Sequence, residues 1–371
     1  MADPDVLVVG GGVIGLSVAR EAAKRGLRVT VLSRDAPGSG ASAVSAGMLE
    51  LHYPYPTPPA LEPVCALSRR LYTGLARDLR METGVDIALD TAGTIALALS
   101  EDERAELRAQ AAAIPGSKLL LDRAEWLAEE PSLGPEVRGA LLLPDDHHVS
   151  PRQLGVALLL ACEKLGVGIR RGVTARAFLS DGGRAEGVST DAGTVRAGLV
   201  VLAAGAWSGQ LAGLPVPVPV RPVKGQILFL EIPAMPRHVL HHQTVYIVPR
   251  PREGRLIVGA TVEEAGYDLR PTAGGIERLI AAGSRLLPAL RDARLVEAAA
   301  GLRPGSPDEL PILGFGPLER LLLAAGHFRK GILLAPATAR IVADMIVGAP
   351  PPLSLEPFRL ERFADAHIPQ R

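Results

Sequence analysis

The sequence predicts a mixed α/β chain, α+β overall, in which a parallel doubly wound sheet is interrupted by a largely antiparallel β-rich insertion. Three observations lead there. Residues 5–9 (DVLVV) form an apolar run that ends on three glycines and is followed by a helical pattern and a second apolar run, the opening of a β-loop-α-β unit. From about 217 to 262 the pattern changes to QILFLEI, TVYIVPR and RLIVGATV with turn residues between them, which reads as antiparallel hairpins. Near 298 the earlier character returns and ends in a helix expected from about Ala335 to Val347. Both domains are therefore expected to be discontinuous.

The elements follow from local chemistry. Val13 to Arg25 has helical periodicity, and Gly26 supplies the stop before the strand Arg28–Leu32. Pro54, Pro56, Pro58 and Pro59 exclude regular structure, and this loop is a candidate gate over a pocket, with helix resuming near Glu62. Residues 101–113 and 151–165 read as helices. Ser150 is the expected N-cap of the second, where Pro151 at the first helical position needs no amide donor.

Composition removes several classes of function. The 371 residues suit two domains. Forty basic and forty acidic side chains cancel, so no charge excess points to nucleic acid or an anionic membrane. No apolar run reaches the length of a membrane span, and Met1-Ala2-Asp3-Pro4-Asp5 has two acids where a secretory signal carries a basic head. Two cysteines, Cys65 and Cys162, exclude a disulfide scaffold and fit a reducing, cytoplasmic setting.

Gly10-Gly11-Gly12-Val13-Ile14-Gly15 satisfies G-x-G-x-x-G between a strand and a helix, which is the context a dinucleotide site requires. Gly10 permits the tight turn, Gly12 lets a pyrophosphate approach the backbone at a helix N-terminus, and Gly15 lets helix and strand pack closely. The acid that usually meets a ribose hydroxyl at the end of the second strand is replaced by Ser33, followed by Arg34 and Asp35. Arg34 makes NADP a rival ligand, for its guanidinium suits a 2′-phosphate. Gly38 to Leu49 is mostly Gly, Ala and Ser, small enough for the main chain to run beside a large flat ligand.

The chain resembles the FAD-dependent D-amino-acid oxidase family, and within it the glycine-oxidising branch. The resemblance rests on VVGGGVIG (8–15), GASAVSAGML (40–49), DDHHVSP (145–151), VVLAAGAWSG (200–209), PVKGQ (222–226), YIVPR (246–250), LIVGAT (256–261), AGLRPGSPD (300–308) and AAGHFRKGILLAPAT (324–338), in the family's order. It implies a Rossmann-like FAD-binding domain from residues 1–85, 146–215 and 296–371, and a substrate domain from 86–145 and 216–295. It implies noncovalent FAD contacts at Gly10, Gly12, Val13, Ile14, Gly15, Ser33, Arg34, Ala41, Ser42, Ala46, Gly47, Met48, Ala175 and Gly205, and along His327, Phe328, Arg329, Lys330, Gly331, Ile332 and Leu333. It places the substrate carboxylate on Arg303 and Arg329, with Tyr246 lining the pocket. A guanidinium fork holds a carboxylate in position and plane, and an unpaired Arg329 in its apolar surroundings would be costly.

The implied chemistry is hydride transfer from the α-carbon of glycine or a small amino acid to the flavin, giving an imine, with dioxygen as final acceptor and the product feeding thiamine thiazole synthesis. No side-chain general acid or base and no metal is required. Family habit implies a homo-oligomer. Rival readings are a D-amino-acid or sarcosine oxidase or dehydrogenase, an FAD-binding assembly subunit and an NADP dehydrogenase. His238, His241 and His242 cluster, but they precede a strand without an interleaved carboxylate or cysteine, which argues against a metal. Lys224 is expected to pack structurally. Glu50, where the family pattern calls for a small residue, narrows the pocket or repels anionic substrates. Thr244, Val262 and Lys330 also depart from that pattern and bear on substrate preference.

Overall fold

The computed structural model describes residues 3–51 and 57–364. In chain order the strands are β1 (Val6–Val9), β2 (Val29–Ser33), β3 (Thr94–Ala98), β4 (Lys118–Leu120), β5 (Gly139–Leu143), β6 (Gly168–Arg171), β7 (Ala175–Asp181), β8 (Arg184–Thr190) and β9 (Gly193–Arg196). They continue with β10 (Leu199–Leu202), β11 (Arg221–Glu231), β12 (Val239–His242), β13 (Val245–Arg250), β14 (Arg255–Gly259), β15 (Arg294–Gly305), β16 (Ile312–Phe315) and β17 (Leu321–Ala325). The helices are α1 (Val13–Lys24), α2 (Glu62–Thr83), α3 (Glu101–Ala113), α4 (Arg123–Glu129), α5 (Pro151–Lys164), α6 (Ala273–Leu286) and α7 (Gly331–Ile346).

One sheet runs β16-β17-β10-β1-β2-β6, parallel except for β16. All four residues of β1 are buried, as a strand covered on both faces requires. Leu16, Leu154, Leu158 and Ile341 from α1, α5 and α7 cover one face, while Phe178, Val188 and Val195 from the small β7-β8-β9 sheet cover the other. The second sheet, β15-β11-β14-β13-β12-β3-β5-β4, is antiparallel apart from the β12–β3 pair, and α6 packs its leucines on it. The hairpin β13–β14 lies inside the 217–262 segment, as its patterning predicts. Strand β15 pairs along its length with β11 and so lies in this second sheet, although the boundary expected at 296 groups it with the nucleotide-binding pieces.

Helix α7 begins at Gly331, four residues ahead of the expected Ala335, and carries Pro336 inside it. A proline there removes one amide donor and leaves the carbonyl of Ile332 without its helical partner. Helix α2 satisfies the freed carbonyl and bridges the next rung of the ladder. The Tyr72 hydroxyl donates to the Ile332 carbonyl, and Ser68 Oγ donates to Leu333 O at 2.5 Å while accepting from the Ala337 amide at 3.1 Å. Among the described residues no helix is long and apolar enough to cross a membrane.

Candidate active site

A cavity of about 1050 Å³ runs from the Gly10–Ile14 loop at the C-terminal end of β1 to Tyr246 and Arg303 on β13 and β15. Its place beyond the carboxyl ends of parallel strands is where open α/β sheets bind ligands. The small-residue segment lines one wall, and the 327–333 turn at the start of α7 lines another.

The glycine loop is held by close packing. A Cβ on Gly10, at φ +122°, would lie 2.2 Å from the Ala203 carbonyl oxygen. Helix α1 has no side-chain cap of its own; instead the Val13 amide donates to Ser42 Oγ at 3.1 Å, which ties the phosphate loop to the small-residue wall. Gly15 does not reach the cavity. Its Cβ would sit 1.8 Å from the Gly10 carbonyl oxygen, so its role is helix packing rather than ligand contact. The small-residue wall also serves packing: Gly38 presses on Gly155 of α5, and Gly47, at φ +73°, leaves no room for a Cβ beside the Val149 carbonyl.

The other expected cofactor residues, Ser33, Arg34, Ala41, Ser42, Ala46, Gly47, Met48, Ala175, Gly205 and His327 to Leu333, do line the cavity. Ser33 donates its hydroxyl to the Asp35 carbonyl at 2.8 Å, which leaves its oxygen free to accept from a ligand. The Arg34 guanidinium lies 3.9 Å from the Trp207 ring centroid and pairs with Asp35. His327 is buried against Thr338 Oγ1 at 3.0 Å, and burial pushes it down to about 3, so the ring is neutral.

At the far end Arg303 projects from β15 with Nη1 donating to the carbonyls of Lys224 (3.3 Å) and Thr261 (3.1 Å). Gly225 makes this possible, since a Cβ there would fall 2.3–2.5 Å from the guanidinium. Tyr246 lies against Gly259 in the same way, a Cβ falling 2.5 Å from its hydroxyl. Burial raises the phenol, which feels the charges of Arg303, Glu50 and Arg329. Arg329 is exposed rather than embedded, because the short turn Phe328–Lys330 presents it outward before α7 begins. It lines the cavity with its guanidinium 5.0 Å from the Phe328 ring.

The three histidines do not converge. His241 and His242 lie within β12, where alternation sends them to opposite faces. Each histidine faces a carboxylate instead of a common centre: His238 meets Glu130, His241 meets Glu50 and His242 meets Glu103. Among the described residues no group of three or more potential ligands stands in metal-binding range. Lys224 is buried outside the cavity and donates to the Arg270 carbonyl at 2.6 Å. Of the proline loop, residues 54–56 lie outside the described residues, and Pro58 lines the cavity.

Sequence reasoning did not find the Glu50–His241 pair or buried Asp146 near it. Burial, and then the Glu50 charge, push the Asp146 carboxyl up to about 7, while its Oδ1 accepts from the Leu51 amide at 3.3 Å. The folded protein thus holds this proton where the unfolded chain, with a value near 3.8, has released it. That contribution lowers stability as pH rises from about 4 to about 7. The melting temperature is expected to fall across this window more steeply in the wild type than in Asp146→Asn, and parallel curves would contradict the burial of an ionisable Asp146.

A glycine-rich phosphate loop, a long cavity and an arginine-bearing far end define a dinucleotide-dependent oxidoreductase. The chain belongs to the FAD-dependent oxidoreductase family, whose model matches residues 5–345. In particular, it is 40% identical over 348 residues to the bifunctional protein ThiO/ThiG of Nostoc sp., covering 92% of this chain and 52% of that protein. It is 37% identical over 358 residues to the glycine oxidase of Pseudomonas aeruginosa, covering 95% and 97% of the two chains. The crystal structure of glycine oxidase from Geobacillus kaustophilus superposes with a TM-score of 0.92 at 36% identity, covering 98% of this chain and 99% of that one. The chain spans about half the length of the first curated relatives it matches.

The residues present fit FAD. The cavity exceeds what an amino acid alone needs, and the N-terminus of α1, where only the Val13 amide is taken by Ser42, faces it with Gly12, which has no side chain to block a phosphate.

Proposed function

We propose that the protein oxidises glycine and other small amines or D-amino acids to the imine, which water converts to glyoxylate or the corresponding oxo acid and ammonia, with hydrogen peroxide as the second product. The observation that carries this reading is Arg303, fixed by two main-chain carbonyls at the end of a cavity that begins on the phosphate loop. The similarity to the two glycine oxidases supports it. FAD supplies, when bound, the two-electron oxidation of the carbon–nitrogen bond and the return of those electrons to dioxygen.

The side chains bind, orient and exclude water. In this reading the Gly10–Ile14 loop, Ser33, Arg34, Ala41, Ser42, Ala46 to Met48, Ala175, Gly205 and residues 327–333 hold FAD. Arg303 takes the substrate carboxylate in a charge-assisted bond, Arg329 adds a second cation from the cavity wall, and Tyr246 closes the side. Cys65 and Cys162 are buried, burial pushes their thiols up to about 11 and about 12, and neither lines the cavity, which supports a noncovalently held FAD. The bifunctional ThiO/ThiG relatives support a place for the product in thiamine thiazole synthesis. The same reading makes the protein a cytoplasmic homo-oligomer, which light scattering of the purified protein tests.

The yellow purified protein is expected to release peroxide in air with glycine, and to yield its flavin to the supernatant on acid denaturation. Silence with glycine alongside turnover of sarcosine, D-alanine or D-proline would move the assignment to another amine substrate. A flavin that none of these reduces would remove the oxidase reading. Gly225→Ala is expected to keep FAD but lower kcat/KM for glycine by roughly tenfold to a hundredfold, because the added methyl displaces the Arg303 guanidinium. Unchanged kinetics would show that Arg303 does not set the substrate's position.

A further inference from the structure

Glu50 is 6% exposed and lies where the small-residue wall meets the substrate end of the cavity. A buried carboxylate in such a place requires partners. Its Oε1 has two: it accepts from Thr94 Oγ1 at 3.2 Å and lies 3.0 Å from His241 Nδ1. Its Oε2 takes no hydrogen bond from any described residue, and the Glu50 side chain belongs to the lining of the cavity. The carboxylate is held in place, because the His241 ring also stands edge-on to Tyr246, with centroids 5.8 Å apart at 87°. The nearby Lys330 ammonium donates to the Glu50 main-chain carbonyl at 3.1 Å, leaving the carboxylate oxygens to other partners.

One tyrosine therefore stands among two guanidinium groups and one carboxylate. That arrangement matches the two ends of a zwitterion. A carboxylate goes to the arginines, and an ammonium group meets Glu50. A second carboxylate on the substrate would meet a fixed charge of its own sign.

We propose that Glu50 determines substrate specificity: its carboxylate accepts an N–H of the substrate ammonium group and repels a second substrate carboxylate, confining the site to monocarboxylic amino acids. This rests on the amino-acid oxidase reading of the site. Its test does not require glycine turnover, so the two can fail separately.

The holoprotein is titrated with acetate, malonate and malonamate while the flavin absorbance is followed. Malonamate has nearly the shape of malonate with one charge fewer, so the pair isolates charge from size. The wild type is expected to bind malonamate about tenfold more tightly than malonate, as like charges in a partly screened site require. Glu50→Gln, which keeps the shape and removes the charge, is expected to bring the two affinities within about twofold and to raise D-aspartate turnover relative to D-alanine about tenfold. Equal wild-type affinities overturn the proposal without any variant, and so does a preference that survives in Glu50→Gln. Failure of every carboxylate to perturb the flavin overturns it as well. If glycine yields no peroxide but the malonamate preference holds and collapses in the variant, the proposed substrate is wrong and Glu50 keeps its role.

Discussion

Replacing Arg303 by alanine is expected to lower kcat/KM for glycine about a hundredfold or more while FAD stays bound. The guanidinium is half-buried on β15, and its own hydrogen bonds to Lys224 and Thr261 carbonyls fix its direction. Truncation removes a charge-assisted bond to the substrate carboxylate in a partly desolvated site, worth about 3 kcal/mol, and about 1.4 kcal/mol corresponds to each factor of ten. Arg303→Lys is expected to fall between the two, because an ammonium retains the charge but not the planar fork. Peroxide release and the flavin-to-protein ratio read the two effects apart. A loss under threefold in the alanine variant would exclude Arg303 as the carboxylate anchor.

The other large effect concerns the cofactor. Gly10→Ala combines a backbone at φ +122°, which L side chains rarely adopt, with a Cβ 2.2 Å from the Ala203 carbonyl. Backbone rather than a flexible side chain stands in the way, so either β1 shifts against β10 or the loop opens. The left-handed conformation alone costs on the order of 1–3 kcal/mol. The variant is expected to purify colourless or with a small fraction of the wild-type flavin, and to melt lower. Gly26→Ala provides the comparison, with a similar positive φ but open space around the Cβ, and is expected to keep its colour with only a modest loss of stability. A yellow Gly10→Ala at full occupancy would contradict the assigned phosphate loop.

The parts of this molecule that were legible in its sequence are those in which local pattern and global position agree. The β1-loop-α1-β2 opening is local: its strands are short and mostly apolar, and its glycines mark one turn. The β13–β14 hairpin likewise shows its alternation and turn residues in one stretch. By contrast, β12 pairs in parallel with β3, far away in sequence, and nothing near His241 announces that neighbour. Helix α7 starts earlier than its sequence implies because Tyr72 of α2 satisfies the carbonyl that Pro336 frees and Ser68 bridges the next rung, a long-range repair that a local rule misses. Resemblance points to the two arginines, but the exposure of Arg329 has no sequence signal, since an apolar stretch does not reveal which way a short turn points one side chain. Glu50 stood out as a departure, but its pairing with Thr94 and His241 joins three separate strands or loops and has no sequence signal.

The strand order of the parallel sheet has a consequence for biosynthesis. Val6 stands opposite Leu199, and Val200 opposite Leu321, so β10 and then β17 complete a sheet that β1 begins. A ribosome delivers these partners in that order, and the apolar β1–α1–β2 unit waits about half of translation for its strand neighbours β6 and β10 and nearly all of it for α7. Such distant pairings make assembly slow and leave sticky surface in need of a chaperone's shelter. The pocket wall contributed by residues 327–333 emerges later still, so the nascent chain cannot enclose its flavin until it is almost wholly made.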